Sequence, residues 1–236
     1  MQIYSKLASK WYPLLDPLED HEDEANIYMD LLQSKGSSRK TLLELGAGAG
    51  NNAYYMKKKF QCTLTDLSLD MLALSKDKNP ECEHHAGDMR NLRLGNSFDI
   101  VFAHDALVYI TSEEDLRAVA ETAFVHTKVG GLALFVPDSI KDTFEEKTEL
   151  HSGQDENRAM RCIGWSWDPD PTDTVCYTEY SFLFREGETI FAHHDRHLEG
   201  LFSKATWIHV LESVGFKTET ITLDLDGIGE VFLCSR

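Results

Sequence analysis

Thr41-Leu42-Leu43-Glu44-Leu45-Gly46-Ala47-Gly48-Ala49-Gly50 is the stretch on which the fold turns. Thr41–Leu45 is a buried-strand run, and Asn51–Lys59 follows as a short helix. Between them stand three glycines at alternate positions, Gly46, Gly48 and Gly50. Glycine at a strand-to-helix junction lets the chain turn tightly and lets a ligand lie against bare backbone, facing the helix N–H groups. The dinucleotide pattern G-x-G-x-x-G would put its last glycine at 51, where this chain has Asn51.

Outward from that junction the same alternation continues. Cys62–Thr65 reads as a second strand and Ser68–Lys76 as a helix capped by Ser68. Glu83–Ala86 is a candidate third strand, and Asp99–Ala103 and Leu132–Val136 supply two more apolar runs, with a helix at Glu113–Thr127 and a turn at Gly130-Gly131. Unbroken apolar runs mark strands covered on both faces, and their alternation with helices marks a parallel α/β sheet. Ahead of them, residues 19–35 form a helix that starts in an acidic cluster, Glu19 to Glu24, suited to the positive end of a helix dipole. The pattern changes after Pro137. Residues 160–200 carry seven aromatic residues, with turn signals at Asp168-Pro169-Asp170-Pro171 and Glu186-Gly187, and read as antiparallel strands. A helix from Lys204 to Val214 follows, then strands at Lys217–Asp224 and Glu230–Cys234 joined through Asp226-Gly227.

Composition excludes several partners. Among 236 residues, 23 Lys+Arg against 40 Asp+Glu leave 23 − 40 = −17 charges, which disfavours nucleic acids and anionic membrane surfaces. Residues 1–10 have no apolar stretch of a secretory signal, and no run approaches the roughly 20 apolar residues of a membrane span. Five scattered cysteines without a CxxC pair point to reduced thiols rather than to disulfides or a metal centre. A cytoplasmic protein is expected.

Two carboxylates stand where open α/β sheets bind ligands, at the carboxyl ends of the strands. Asp66 ends the second strand, 20 residues beyond Gly46, where an acidic side chain can accept hydrogen bonds from both hydroxyls of a ribose; its alternative role is to cap the Ser68 helix. Gly87-Asp88-Met89 follows the third strand, with a carboxylate for an adenine amino group and a thioether for the ring face. Together the three loops point to a nucleoside ligand.

The segments LLELGAGAGNNA, LTDLSLDMLALSK, HHAGDMRNL, FDIVFAHDALVYI and VGGLALFVPD, in this order, resemble class I S-adenosylmethionine-dependent methyltransferases. The stretch RHLEGLFSKATWIHVLESVGF is more loosely similar to small-molecule members such as amino-sugar N,N-dimethyltransferases. The resemblance implies a doubly wound, mostly parallel seven-stranded sheet whose last strand is antiparallel, inserted by the terminal hairpin. It implies S-adenosylmethionine as cofactor, with Gly46, Gly48 and Gly50 along the methionine part, Glu44 beside them, Asp66 and Leu67 at the ribose, and Asp88 and Met89 at adenine. It divides the chain into an N-terminal helical lid (1–38), a cofactor-binding core (39–138), an antiparallel substrate-side insert (139–202) and a terminal helix and hairpin (203–236).

Methyl transfer from such a donor is an in-line displacement, so the protein must align a nucleophile and, where needed, remove its proton. His104 and Tyr109 follow the fourth strand, across from the expected methyl position. His104 is a candidate base or substrate contact, or else part of the cofactor wall; Tyr109 is a candidate catalytic hydroxyl or a packing residue. Tyr4 or Tyr12 is the candidate lid contact. In the insert, His193-His194-Asp195-Arg196-His197 alternates along a strand: His193, Asp195 and His197 share one face, His194 and Arg196 the other. A metal site is disfavoured by that spread. His194 and Arg196, with Trp165 and Tyr177, are taken as the substrate wall, Arg196 being able to grip a carboxylate or phosphate of an anionic acceptor. The function expected is methyl transfer to nitrogen or oxygen of a small molecule. The rivals are a non-catalytic cofactor-binding partner or sensor and, opposed by the glycine spacing and the hairpin, an NAD-dependent oxidoreductase.

Overall fold

The computed structural model describes residues 4, 7–36, 38–225 and 228–236, and of residues 8, 224, 225 and 228 the backbone alone. Helix α1 (Ala8–Leu15), a 3-10 turn (Leu18–His21) and α2 (Glu22–Ser34) precede the first strand. Then come β1 (Thr41–Leu45), α3 (Asn51–Met56), β2 (Gln61–Asp66), α4 (Leu69–Lys78), β3 (Glu83–Ala86) and β4 (Phe98–His104). After a second 3-10 turn (Ala106–Tyr109) follow α5 (Glu113–His126) and β5 (Thr127–Val136). Strands β6 (Lys147–Gln154), β7 (Arg158–Trp167), β8 (Val175–Glu186) and β9 (Thr189–Gly200) form the insert, and α6 (Lys204–Ser213), β10 (Lys217–Leu225) and β11 (Ile228–Ser235) end the chain.

Seven strands make one sheet in the order β10-β11-β5-β4-β1-β2-β3. Strand β11 runs antiparallel to both its neighbours, β10 and β5, while β5, β4, β1, β2 and β3 are mutually parallel. This is the doubly wound sheet with an antiparallel terminal hairpin expected from the sequence. Alternation along β1 explains the two layers. Leu42 points to the side of α2 and α3, among Tyr28, Leu32, Ala53 and Met56. Leu43 and Leu45 point to the other side, among Leu116, Val119 and Ala120 of α5 and Trp207, Val210 and Leu211 of α6. Three helices start on a serine whose side chain accepts an N–H of the first turn: Ser68 from Met71, Ser112 from Asp115 and Ser203 from Thr206.

Two local readings change, and a third lies outside the described residues. Residues 19–35 are not one helix: Leu18–His21 is a 3-10 turn after Pro17, and α2 begins at Glu22 with Glu22, Asp23 and Glu24 in its first turn. Strand β6 was not expected, because KTELHSGQ is polar and exposed along most of its length; it exists by pairing with β7 from Lys147↔Ser166 to Gln154↔Ala159. The Asp226-Gly227 hairpin signal lies outside the described residues, although the flanking strands pair as expected.

The four insert strands form a separate antiparallel sheet in the order β6-β7-β8-β9. Its inner face packs on α1, where Trp11 lies against Met160, Cys162, Phe182 and Phe184. At the end of β9 a Cβ on Gly200 would sit 1.8 Å from the carbonyl oxygen of Ile110, so only glycine lets the insert backbone meet the loop after β4. Helix α1 and the insert therefore roof the carboxyl ends of the parallel strands. Among the described residues no helix is long and apolar enough to cross a membrane.

Candidate active site

Under that roof lies a cavity of about 910 Å³, in the upper part of the roughly 300–1,000 Å³ range of small-molecule sites. Its floor is Gly46, Ala47 and Gly48. Gly46 has φ 75°, and a Cβ there would stand 2.3 Å from the Cβ of Ala106, so the strand-to-helix loop and the turn after β4 meet backbone to side chain. Gly48, at φ 54°, donates its N–H to Oδ2 of Asp66 at 2.8 Å, and the N–H of Ser68 donates to Oδ1 at 2.7 Å. Burial raises the Asp66 carboxyl, and the backbone N–H groups of Ser68, Gly48 and Leu67 pull it back. The carboxylate still has a free lone pair for a ligand. Asp88 is held by Arg90, whose Nη2 donates to Oδ2 at 2.6 Å; this guanidinium keeps the carboxyl below its ordinary range. Leu67 and Met89 line the cavity beside the two carboxylates. Glu44 is 4% exposed, and its Oε2 has no hydrogen-bond partner among the described residues. Burial pushes its carboxyl up to about 8 against the pull of His104. An orphaned acceptor in a cavity wall marks where a ligand donor belongs.

His104 ends β4, buried at 6% exposure and stacked on Phe102. Its Nε2 lies 3.2 Å from the hydroxyl of Tyr28, and its Nδ1 lies 3.2 Å from the Asn52 amide and 3.1 Å from Asp105 Oδ1. Burial opposes its charge, but Asp105, Glu24 and Asp138 outweigh that and raise it to about 9. As an imidazolium it donates from both nitrogens. With the Asn52 amide turned, its Oδ1, otherwise without a partner, accepts one of them. Held between Tyr28, Asn52 and Asp105, the ring forms part of the cavity wall. The next residue, Asp105, adopts φ 46° and ψ −58°, a strained region for a side-chain-bearing residue and one that clusters at functional sites.

Beyond Asp105 the cavity is lined by Tyr109, Asp138, Tyr180, Phe182, His197 and Glu199. Asp138 follows β5 on the cavity wall, where loss of solvation within the cavity and the nearby Asp105 carboxylate push it well above its ordinary value. Burial also raises Glu199, against a hydrogen bond donated by Thr178 Oγ1 at 2.9 Å. Tyr109 Oη lies 3.1 Å from Nδ1 of His197. Tyr4 and Tyr12 of the N-terminal segment close the roof, Tyr12 donating to Asp16 Oδ2 at 2.7 Å.

Residues 42–131 match the family model of a methyltransferase domain. A curated relative, the dTDP-3-amino-3,4,6-trideoxy-alpha-D-glucopyranose N,N-dimethyltransferase of Streptomyces venezuelae, is 30% identical over 130 residues, 54% of this chain. The match spans 55% of that relative, a little over half its length. The crystal structure of Streptomyces venezuelae DesVI superposes with a TM-score of 0.86 at 23% identity, covering 98% of each chain. SAM-bound CalS10, an amino pentose methyltransferase from Micromonospora echinaspora, gives a TM-score of 0.81 at 22% identity over 91% of each chain. Both share the fold, insert included.

Tyr12, Glu44, Gly46, Gly48, Asp66, Leu67, Asp88, Met89, His104 and Tyr109 all line this cavity. Gly50 does not. A Cβ there would meet Ser75 Oγ at 2.3 Å and Asn79 Nδ2 at 2.5 Å, so this glycine seats α3 against α4 behind the loop. The four expected substrate residues are also elsewhere. Trp165, Tyr177, His194 and Arg196 occupy the outer face of the insert: Trp165 Nε1 donates to Glu146 at 2.9 Å, while His194 and Arg196 both pair with Glu179. The cause is strand parity. The face holding Tyr180, Phe182, His197 and Glu199 looks into the cavity, and its neighbours look out. Asp105, Asp138, His197 and Glu199 were not assigned to the site beforehand. Asp138 had a usable signal, since it follows the carboxyl end of a parallel strand.

Proposed function

We propose that this protein transfers a methyl group from S-adenosylmethionine to the nitrogen of a small amine, with amino sugars as the acceptor class. The observation that carries the reading is the single cavity that joins a diol-accepting end, Asp66 beside Gly46 and Gly48, to a second end rich in carboxylates. The names of the relatives supply the acceptor class. The cofactor fits the residues present: bare glycine floor, two carboxylates at the ends of β2 and β3, and the orphaned Glu44 oxygen. When bound, it supplies a methyl carbon already activated on sulfur. The protein then has to hold the acceptor in line and keep water out, work for which a roofed site is suited. Asp105, Asp138 and Glu199 favour a cationic or neutral group at the acceptor end. At the amine-binding end itself an anionic group has little to bind, since among the lining residues the one arginine is Arg90, paired with Asp88 and Asp115, so the diphosphate of a nucleotide-linked sugar belongs away from that end. Helix α1 with Tyr4 and Tyr12 serves as the lid, over the core at 39–138 and under the insert. The five unpaired thiols suit a reducing cytoplasm.

Calorimetric titration with S-adenosylmethionine and S-adenosylhomocysteine tests the cofactor half. Micromolar binding is expected, weakened at least tenfold by Asp66→Ala, which loses hydrogen bonds to a diol worth roughly 1.5–3 kcal/mol. No binding at millimolar concentration, or nicotinamide-dinucleotide binding in its place, would sink the reading. Mass spectrometry of dTDP-amino sugars incubated with enzyme and cofactor tests the acceptor half. The expected product is heavier by one or two methyl groups on nitrogen.

A further inference from the structure

His197 is 2% exposed, boxed by the rings of Tyr4, Tyr109 and Tyr180 at centroid distances of 5.9, 5.8 and 4.8 Å. An apolar side chain would pack among three aromatic rings without the cost of burying an imidazole. The polar atoms are aimed instead. Nδ1 lies 3.1 Å from Tyr109 Oη, and Nε2 lies 3.6 Å from Asp195 Oδ2. The titratable groups facing the ring are Tyr4 from the N-terminal segment, Tyr109 from the turn after β4, Tyr180 from β8, and Asp195 and Glu199 from β9 itself.

Burial disfavours the charged ring and Asp195 favours it; burial wins, so His197 is neutral at neutral pH. With Nδ1 accepting from Tyr109, the ring proton sits on Nε2, on the side of Asp195. Tyr109 thus directs its hydroxyl hydrogen at His197, and its oxygen, which the Tyr4 hydroxyl also meets, keeps a lone pair to accept a proton at the cavity it lines. The turn that carries Tyr109 also carries Ala106, which packs on Gly46, so this oxygen stands between the cofactor floor and the insert.

We infer that Asp195, His197 and Tyr109 form a proton relay that strips the acceptor amine before methyl transfer. The inference rests on the amine reading above. The N–H proton of the acceptor ammonium passes to Tyr109 Oη as the tyrosine's own proton passes to His197 Nδ1, and the imidazolium so formed is balanced by the Asp195 carboxylate. The freed nitrogen lone pair forms the N–C bond while the C–S bond breaks, its electron pair leaving with the sulfur. Tyr109 is the catalytic residue; His197 and Asp195 are positioning residues that act through it.

Two measurements test this. In the first, the ring nitrogens of His197 are followed by NMR in the ligand-free protein, which needs no activity. A neutral ring protonated on Nε2 at neutral pH, with an Nδ1 shift that moves in Tyr109→Phe, is expected. A ring protonated on Nδ1, or an imidazolium, would overturn the relay. In the second, kcat is measured against pH for wild type, Tyr109→Phe, His197→Gln and Asp195→Asn. His197→Gln keeps a hydrogen-bond partner for Tyr109 but cannot take up a proton, so a merely structural role would be rescued. Losses on the order of 100-fold are expected for Tyr109→Phe and His197→Gln, with the double variant no worse than either. Asp195→Asn should move the acid limb to lower pH, because the carboxylate favours the imidazolium. Wild-type kcat and an unchanged profile in His197→Gln, with methyl transfer intact, would refute the relay and leave the function standing. Absence of methyl transfer to any amine would refute the function, and the NMR result would still decide the geometry.

Discussion

Gly46 and Gly48 stand two residues apart at positive φ, yet a side chain meets different surroundings at each. At Gly48 a Cβ would lie 3.5 Å from the flexible end of Met71; at Gly46 it would lie 2.3 Å from the Ala106 Cβ. Gly48→Ala should therefore cost only the left-handed backbone, about 1–2 kcal/mol. Gly46→Ala should cost clearly more and also weaken cofactor binding, because the turn carrying Asp105 and Tyr109 must move. Urea denaturation and calorimetry on the two variants check this, and equal losses would show that the Ala106 contact is soft. At this scale much of the cavity floor was legible in advance. Glu44, Asp66 and Asp88 are placed by being at the ends of strands, a position that local pattern reveals. Gly50 was misread because alternate glycines look alike in a sequence, while only the neighbours Ser75 and Asn79 show which way each faces.

Helices α1 and α2 are joined through one side chain. His21 Nε2 lies 2.7 Å from Asp16 Oδ1 and its Nδ1 lies 2.7 Å from Glu24 Oε1, while Asn51 at the start of α3 donates to Asp16 Oδ2 at 2.8 Å. Burial opposes charge on this ring, but Asp16 and Glu24 prevail and raise it from 6.5 to about 10. A group raised in the folded state contributes stability that is full below its ordinary value and lost as pH rises through the raised one. His21→Gln should thus destabilise the protein by about 2 kcal/mol below pH 6.5, and the gap to wild type should shrink as pH climbs towards about 10. Urea midpoints at several pH values measure it; a gap independent of pH would mean that the imidazolium clamp is not what holds the lid. The acidic run Glu19 to Glu24 was readable as a helix start, and Glu22 to Glu24 fill that role. Its link to His21 was not, since the ring needs Asp16 from beyond Pro17 to complete the clamp.

Across the whole molecule, 23 basic against 40 acidic residues set a negative field that repels nucleic acid and attracts cations. Asp105, whose carboxyl is held below its ordinary range by His104 despite burial, carries that negative charge to the acceptor end of the cavity. For a cationic amine, kcat/KM should fall several-fold as ionic strength rises towards physiological values, where the Debye length is about 8 Å; a salt-independent rate would argue against electrostatic capture. The outer face of the insert has no part in this. Arg196→Ala and His194→Ala should leave kcat and acceptor KM within about twofold of wild type, since surface ion pairs such as theirs with Glu179 contribute about 0–1 kcal/mol. A rise in acceptor KM on either substitution would return that face to the substrate.

By itself the chain determined the α/β order, the antiparallel hairpin and the loops that line one end of the cavity, because strand runs, glycine junctions and strand-end carboxylates are properties of short stretches. It also showed that residues 193–197 alternate between two faces. Which face meets the cavity was decided by tertiary packing alone. Trp11 of α1 lies on the side of Met160, Phe182 and Phe184, and that contact turns Tyr180, His197 and Glu199 inward and Arg196 outward. The Tyr109–His197 contact joins residues 88 positions apart, brought together where β9 closes on the loop after β4. A strand's period of two is written in its own residues, but its phase is set by what the sheet packs against.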